Sequence, residues 1–210
     1  MAVSMVAFAL RVFALDAVRH YHDFGAPHGL GIGILELVER GELSSLPLFG
    51  LLSGIRVVNP AGASYFWALI ALFDRGAYSA TFISAALNAL AVGMTFGIGR
   101  RLFGPGVGLA ASALMATSLW SIFTSRGLWL QGLLEFASVA AMYFILIGIA
   151  LRSRRRLVFG MAFTALMMQT YIAAMALAAQ AIVLCGLALV TSTRNRTFNR
   201  PAVVGGLLCV

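Results

Sequence analysis

The chain has 210 residues, of which 61% are hydrophobic and 10% are charged. A soluble domain carries about 45 to 50% apolar and about 25% charged residues, so this composition excludes an ordinary soluble protein and indicates an integral membrane protein. The net charge of +8 comes from 15 arginines and no lysine. Because the arginines cluster in short loops between apolar runs, they indicate membrane orientation, and we expect no nucleic-acid partner.

Both ends of the chain carry short apolar runs. Residues 1–15 would make about 22 Å of helix, against about 30 Å of membrane hydrocarbon. The final run, residues 201–210, stops after ten residues. We therefore expect residues 1–210 to form a single transmembrane domain that is the N-terminal part of a longer protein.

The segment 17–79 holds most of the acidic residues. In HGLGIGILELVERGEL, which starts at His28, apolar residues recur at helical spacing and Gly41 suits a helix end. This pattern predicts an amphipathic helix lying on the membrane. Residues 62–73 are too few to span and predict a second surface-lying or re-entrant helix. Segment 17–79 is thus the first outer loop, with interfacial helices.

The rest of the chain alternates apolar runs with basic loops. The pattern predicts an all-α, multi-pass transmembrane helical bundle of about seven crossings, with the first and last truncated. The full crossings are expected over residues 80–99, 105–125 and 127–151, and as a pair over residues 157–193 with a turn near Gln169, Thr170 and Tyr171.

Arginine placement predicts the orientation. The loops 100–101, 152–156 and 192–200 hold nine arginines and no acid, so we expect all three to be cytoplasmic. Parity then places residues 17–79, Arg126 and the turn around Tyr171 on the extracytoplasmic side. The expected location is the cell membrane, inner or plasma.

Three passages of the sequence carry a resemblance to a known family. They are FALRVFALD followed by LELVERGEL, then NALAVGMTFGIGRRLFGPGVGLAASALMATS, and finally SRGLWLQGLLEF with the later TYIAA. In these passages the sequence resembles the C-type glycosyltransferases that take sugars from polyprenyl-phosphate carriers, and specifically the protein-mannosyltransferase and aminoarabinose-transferase relatives, often called family 39.

The resemblance implies chemistry at the outer face. It implies that Asp23 is the catalytic base for inverting transfer, because a hydroxyl acceptor is a weak nucleophile that must lose its proton. It also implies that Arg126 binds the leaving phosphate. The implied partners are a polyprenyl-phosphate sugar donor, membrane lipid, and a sugar, lipid or protein acceptor. The chain departs from the family at Phe24 and Gln131, where acids are usual.

The remaining substrate-binding candidates are His22, Gln131, Tyr171 and Glu135. Glu135 is expected about 12 Å into its helix, where an acid is costly and usually faces the bundle interior or a watery cavity. It binds substrate or pairs with an arginine, and Arg11 is one such partner. Two alternatives stay open: a transporter or flippase-like protein with Glu135 on the path, and an inactive truncated remnant.

A metal site is the alternative interpretation of the stretch RHYHDFGAPH. His20, His22, Asp23 and His28 supply ligand types for a divalent cation, although their spacing matches no established signature. The sequence itself requires no cofactor and no metal. Small residues four apart in GMTFG (93–97) and GPGVG (104–108) predict close helix packing in lipid.

Overall fold

The computed structural model describes residues 2–13, 26–53 and 56–194. Within these ranges the chain is almost entirely α-helical, which confirms the predicted all-α membrane-type fold. The helices are α1 (Ala2–Val12), α2 (Ala26–Glu39), α3 (Gly62–Ala71), α4 (Ala77–Leu102), α5 (Pro105–Thr117), α6 (Leu119–Arg126), α7 (Leu130–Ala150), α8 (Arg154–Met168) and α9 (Ala174–Arg194).

The apolar runs become helices at the predicted places. Helix α4 covers the predicted span 80–99 and is longer at both ends, and α7 begins three residues later than the predicted start at 127. The run 157–193 forms two helices, as predicted, and the turn between α8 and α9 falls at residues 169–173. Arginines at the end of α4 suit the negative end of the helix dipole.

The predicted span over 105–125 is not one straight helix, because the run bends by 55° between α5 and α6. Ser118 lies at the break with an extended backbone, and its hydroxyl accepts a hydrogen bond from the Ser121 N–H at 3.4 Å. Serine favours such an N-cap because its oxygen replaces a missing backbone acceptor. The apolar pattern could not reveal this break, since Ser118 lies inside a run that contains no charged residue.

Two described helices, α4 and α7, are long and apolar enough to cross a membrane, and a third crossing is added if the bent pair α5–α6 counts as one span. Helix α1 and residues 174–187 of α9 are shorter apolar helices. The predicted seventh run, 201–210, lies outside the described residues. The count of about seven crossings therefore stays a prediction.

The segment before α4 is structured, as the sequence predicted. Helix α2 ends at a left-handed Gly41 (φ 75°), whose N–H donates to the Val38 carbonyl at 3.0 Å. The Glu42 N–H donates to the Leu37 carbonyl at 2.9 Å, which completes a Schellman cap. A short 3-10 helix (Leu43–Ser45) and an antiparallel hairpin follow, with strands β1 (Phe49–Leu52) and β2 (Val58–Pro60), and the sequence analysis did not anticipate this hairpin.

This segment docks on the turn between α8 and α9. The Asn59 side chain accepts a hydrogen bond from the Ile172 N–H at 3.2 Å, and the Ala63 N–H donates to the Gln169 carbonyl at 3.2 Å. Trp67 of α3 is fully buried in a cluster that includes residues 128, 130 and 133. The turns before α7 and before α9 therefore lie at one end of the bundle, together with α3.

Glycines allow close helix contacts at the other end. A Cβ on Gly99 of α4 would lie 2.5 Å from the Cα of Gly108 in α5, and one on Gly108 would lie 2.6 Å from the Arg100 N. The predicted close packing of GPGVG is thus confirmed at Gly108, whereas Gly104 and Gly106 face open space.

Candidate functional site

Glu135 is the acid of the transmembrane region, and α7 carries it in its second turn. Because α7 begins at Leu130, Glu135 lies about 8 Å from the helix start by rise per residue, nearer the end than the predicted 12 Å. Its Oε1 accepts a hydrogen bond from the Ser121 hydroxyl, and its Oε2 accepts one from the Thr124 hydroxyl at 3.2 Å. Two donors from α6 therefore hold the carboxylate in place.

Arg11 completes this network from α1. Its side chain is fully buried, and Nη2 donates to the Ser121 hydroxyl oxygen at 2.6 Å. Nη1 donates to the carbonyls of Ala7 at 3.0 Å and Ala116 at 3.4 Å. The predicted pairing of Glu135 with Arg11 therefore takes the form of a hydroxyl-bridged chain, Arg11 to Ser121 to Glu135.

The local sequence of α6 explains how these groups meet. Hydroxyl side chains at 118, 121, 124 and 125 recur every three or four residues, so they share one face of the helix. The bend at Ser118 changes the direction of that face relative to α5. Gly132 then lets α7 approach, because a Cβ there would lie 2.7 Å from the Thr124 carbonyl oxygen.

A cavity of about 360 Å³ opens beside the carboxylate, within the roughly 300 to 1,000 Å³ range of small-molecule sites. Two predicted substrate-binding residues, Gln131 and Glu135, both line it. They are one helical turn apart on α7 and so share a face. The complete lining is Met115, Ser118, Trp120, Ser121, Gln131, Leu134, Glu135, Ser138 and Leu177.

The lining suits a ligand rich in hydroxyl groups. The Glu135 carboxylate and the hydroxyl oxygens accept hydrogen bonds, whereas the Gln131 amide both donates and accepts. Trp120 is 63% exposed and adds an aromatic side chain to the lining. Arg11 lies on the buried side of the network. The negative charge of the Glu135 carboxylate at the cavity therefore has a positive charge behind it.

Arg126 and Tyr171 lie elsewhere. Arg126 ends α6 and is half-buried, and it is not among the residues that line the cavity. Tyr171 belongs to the turn before α9 and packs against the cluster around Trp67. Their predicted substrate-binding roles stay predictions.

Asp23 and His22, the predicted base and its neighbour, lie outside the described residues, as does His20. Of the four metal-ligand candidates only His28 is described. Across residues 2–13, 26–53 and 56–194, no three His, Cys, Asp or Glu side chains are grouped so that they could hold a metal ion. The metal alternative therefore stays untested at its other three positions.

His28 lies in α2, in the segment before α4, and its pKa is shifted. Its ring is buried against Trp67, with ring centroids 6.4 Å apart in an edge-to-face arrangement. Burial lowers the pKa of His28, because it disfavours the charged imidazolium, and the Asp74 carboxylate partly opposes this effect. The pKa of Asp74 is itself lowered, since the Ser79 hydroxyl and the Gly76 N–H both donate to its carboxylate.

The sequence pattern did not predict Ser121, Thr124 and Trp120 as parts of the network and its cavity, nor the other lining residues Met115, Ser118, Leu134, Ser138 and Leu177. A signal for the hydroxyls was available, because SLWSIFTS places polar residues at helical spacing within an apolar run. Such a stripe in a membrane helix usually faces other helices, since its hydroxyls form hydrogen bonds across them. Nothing in the pattern distinguished Trp120 from an ordinary interfacial tryptophan.

Comparison with known proteins adds one finding. A family model described as dolichyl-phosphate-mannose-protein mannosyltransferase matches residues 58–210, which is more than two-thirds of the chain. The matched range includes α3 to α9 and therefore Ser121, Gln131 and Glu135. No curated protein and no solved structure is significantly similar to the chain.

Proposed function

Since the chain belongs to the dolichyl-phosphate-mannose-protein mannosyltransferase family, we propose that it transfers a sugar from a polyprenyl-phosphate carrier to an acceptor hydroxyl. The family and the apolar helices make the chain a membrane glycosyltransferase of the mannosyltransferase type. The donor, the stereochemistry and the base are the parts we propose. The reaction takes place at the extracytoplasmic face of the cell membrane.

The cavity beside Glu135 carries the proposal. Sugar hydroxyls donate to the carboxylate and exchange hydrogen bonds with the Gln131 amide, while the sugar ring stacks on Trp120. An acid among apolar membrane helices is costly and usually faces the bundle interior or a watery cavity, so a polar ligand suits this cavity better than an apolar one. We assign the cavity to the sugar of the donor.

The transfer step inverts the anomeric centre. The acceptor oxygen attacks the anomeric carbon, the bond from that carbon to the phosphate oxygen breaks, and the polyprenyl phosphate leaves with the bonding electrons. The acceptor proton passes to the Asp23 carboxylate, which acts as the general base. Arg126 supports the leaving phosphate by bidentate hydrogen bonding, and His22 and Tyr171 complete the polar surroundings of the substrate.

The base is tested by transfer of labelled mannose from a polyprenyl-phosphate donor, with the purified full chain in detergent. We expect Asp23→Asn to lower kcat by about 10²- to 10⁴-fold, the usual contribution of a general base. Glu42→Gln is the matched control, because it removes an exposed acid from the same segment, and we expect it to keep wild-type transfer. Unchanged transfer in Asp23→Asn would remove this residue from the mechanism.

The cavity is tested separately with Gln131→Ala. Loss of a neutral hydrogen bond is worth about 0.5 to 1.5 kcal/mol, so we expect KM for the donor to rise about two- to tenfold with little change in kcat. Gln180→Ala on α9 is the control, since that glutamine is exposed and does not line the cavity. An equal rise of KM in both variants would show that the cavity does not bind the donor.

The transporter alternative predicts a different outcome. If the chain moves a solute past Glu135, proteoliposomes will take up labelled sugar phosphate in a Gln131-dependent manner without any transfer to an acceptor. We expect transfer and no net uptake.

A further inference from the structure

A second cavity, of about 460 Å³, lies at the opposite end of α7 from the Glu135 cavity. Ile147, in its wall, is twelve residues after Glu135, or about 18 Å along the helix axis. The lining comes from the ends of α4 and α7 and the start of α8. It consists of Gly97, Arg100, Arg101, Tyr143, Ile147, Leu151 and Arg156.

Three guanidinium groups in this cavity have no carboxylate from the surrounding helices. Glu135 is the only acidic residue between positions 75 and 210, and Ser121 and Thr124 hold it in the other half of α7. Arg100 and Arg101 are exposed, and Arg156 is half-buried. The positive charge of the cavity is therefore open to an anion from outside the protein.

The position of Arg156 is unusual for a cation. Helix α8 begins with three arginines, 154 to 156, in its first turn, where the positive end of the helix dipole disfavours them. The N-cap residue Ser153 makes no side-chain capping hydrogen bond, so its hydroxyl does not satisfy the first N–H groups of α8. An anion bound here would satisfy the N–H groups and offset the arginine charge together.

The other walls of the cavity are aromatic and apolar. Tyr143 packs against Gly97, where an added Cβ would lie 2.8 Å from the tyrosine ring. The phenol contributes a further hydrogen-bond donor, whereas Ile147 and Leu151 contribute hydrocarbon. A site that joins a cationic pocket to apolar helix surface suits an amphiphile with an anionic head better than a free inorganic ion.

We propose that this cavity, formed by Arg100, Arg101, Tyr143 and Arg156, binds the phosphate of an anionic membrane phospholipid. The arginines hold the phosphate oxygens, and the acyl chains lie along the membrane-facing surface of the bundle. The site lies away from the Glu135 cavity and does not depend on the proposed transfer reaction. It brings together the basic loops 100–101 and 152–156, which the sequence assigned to one side of the membrane.

Lipid binding by the full-length chain in detergent, followed by native mass spectrometry, tests the site. The probes are phosphatidylglycerol and phosphatidylcholine with the same acyl chains, so that they differ only in the headgroup, which is anionic in the first and zwitterionic in the second. We expect tighter binding of phosphatidylglycerol. Each basic side chain near a membrane surface contributes about 1 kcal/mol, so Arg156→Gln should weaken phosphatidylglycerol binding about fivefold.

Arg155→Gln is the matched control, because it removes the same charge from the same turn but Arg155 does not line the cavity. We expect it to change binding less than twofold. Arg156→Lys keeps the charge but loses the bidentate geometry, so its affinity should fall between those of the wild type and Arg156→Gln. A thermal melt of each variant confirms that the loss is not caused by unfolding.

Three results would overturn the proposal. The first is equal affinity of the wild type for the two lipids. The second is an equal loss in Arg155→Gln and Arg156→Gln, which would show a diffuse surface charge. The third is complete displacement of phosphatidylglycerol by excess inorganic phosphate, which would assign the cavity to a soluble phosphate compound.

Discussion

The Arg11–Ser121–Glu135 chain makes a quantitative prediction about stability. We consider three variants, namely Arg11→Met, Glu135→Gln and the double variant. Each single variant leaves one charged group without its counterpart, whereas the double variant removes both charges and keeps the side-chain volumes similar. The comparison therefore measures how strongly the two charges depend on each other.

The two single variants should differ because their remaining charges are buried to different degrees. Glu135→Gln leaves the fully buried Arg11 with two carbonyls and a hydroxyl but without the bridged carboxylate. Breaking a directly paired buried ion pair costs about 3 to 5 kcal/mol, and because a hydroxyl bridges this pair we expect about 3 kcal/mol, the low end of that range. Arg11→Met leaves a half-buried carboxylate beside a cavity, so we expect a smaller cost of about 1 to 3 kcal/mol. The double variant should lie within about 2 kcal/mol of the wild type.

Thermal unfolding in detergent, followed by tryptophan fluorescence, measures these differences. One kcal/mol shifts Tm by about 2 to 4 °C in a chain of this size, so Glu135→Gln should lower Tm by about 10 °C and the double variant by much less. Ser121→Ala should also destabilise, whereas the control Ser125→Ala loses only a hydrogen bond to the Ile122 carbonyl within α6. If the destabilisation of the double variant equals the sum of the two single effects within about 0.5 kcal/mol, the two charges are not coupled and the reasoning is refuted.

Two further predictions concern packing and pH. Gly132→Ala should lower stability by about 1 to 3 kcal/mol, because its Cβ would lie 2.7 Å from the Thr124 carbonyl oxygen, whereas Gly106→Ala, in open space on α5, should be neutral or slightly stabilising. Because the pKa of His28 is lower in the folded chain than in the unfolded chain, lowering the pH protonates this histidine in the unfolded chain before it does so in the folded one. Protonation therefore favours unfolding, and Tm should fall as the pH drops below about 6.5. His28→Phe keeps a ring against Trp67 and should reduce this pH dependence, and an unchanged melting profile between pH 7 and pH 5 would contradict the assignment.

The helices of the bundle were predictable because apolar runs and basic loops carry the information that places them. Membrane helices satisfy their own backbone hydrogen bonds, so hydropathy and loop charge locate most of α4, α7, α8 and α9. The break at Ser118 was not predictable, since a serine inside an apolar run also occurs in continuous helices. The hairpin β1–β2 was missed because its strands are short, with four and three residues, and its pairing is irregular.

The candidate site was predictable in part. An acid within an apolar run is costly, and that cost alone singled out Glu135 and suggested an arginine partner. The bridging role of Ser121 depends on the bend between α5 and α6. This bend brings the Ser121 hydroxyl into contact with the carboxylate of Glu135, which lies fourteen residues later in the chain. The open side of the cavity, with Trp120 in its wall, follows from the same bend and not from local sequence.

The range matched by the family begins at Val58, yet the network around Glu135 extends beyond it. Arg11 lies in α1, 110 residues before the Ser121 hydroxyl to which it donates, and Ala7 of the same helix packs in a cluster with residues 89, 92 and 116. Without α1 the Glu135 carboxylate would lose the positive charge on its buried side, and the α5–α6 bend would lose the guanidinium bonded to the Ala116 carbonyl. Helix α1 therefore packs and hydrogen-bonds directly with the helices that carry the family match.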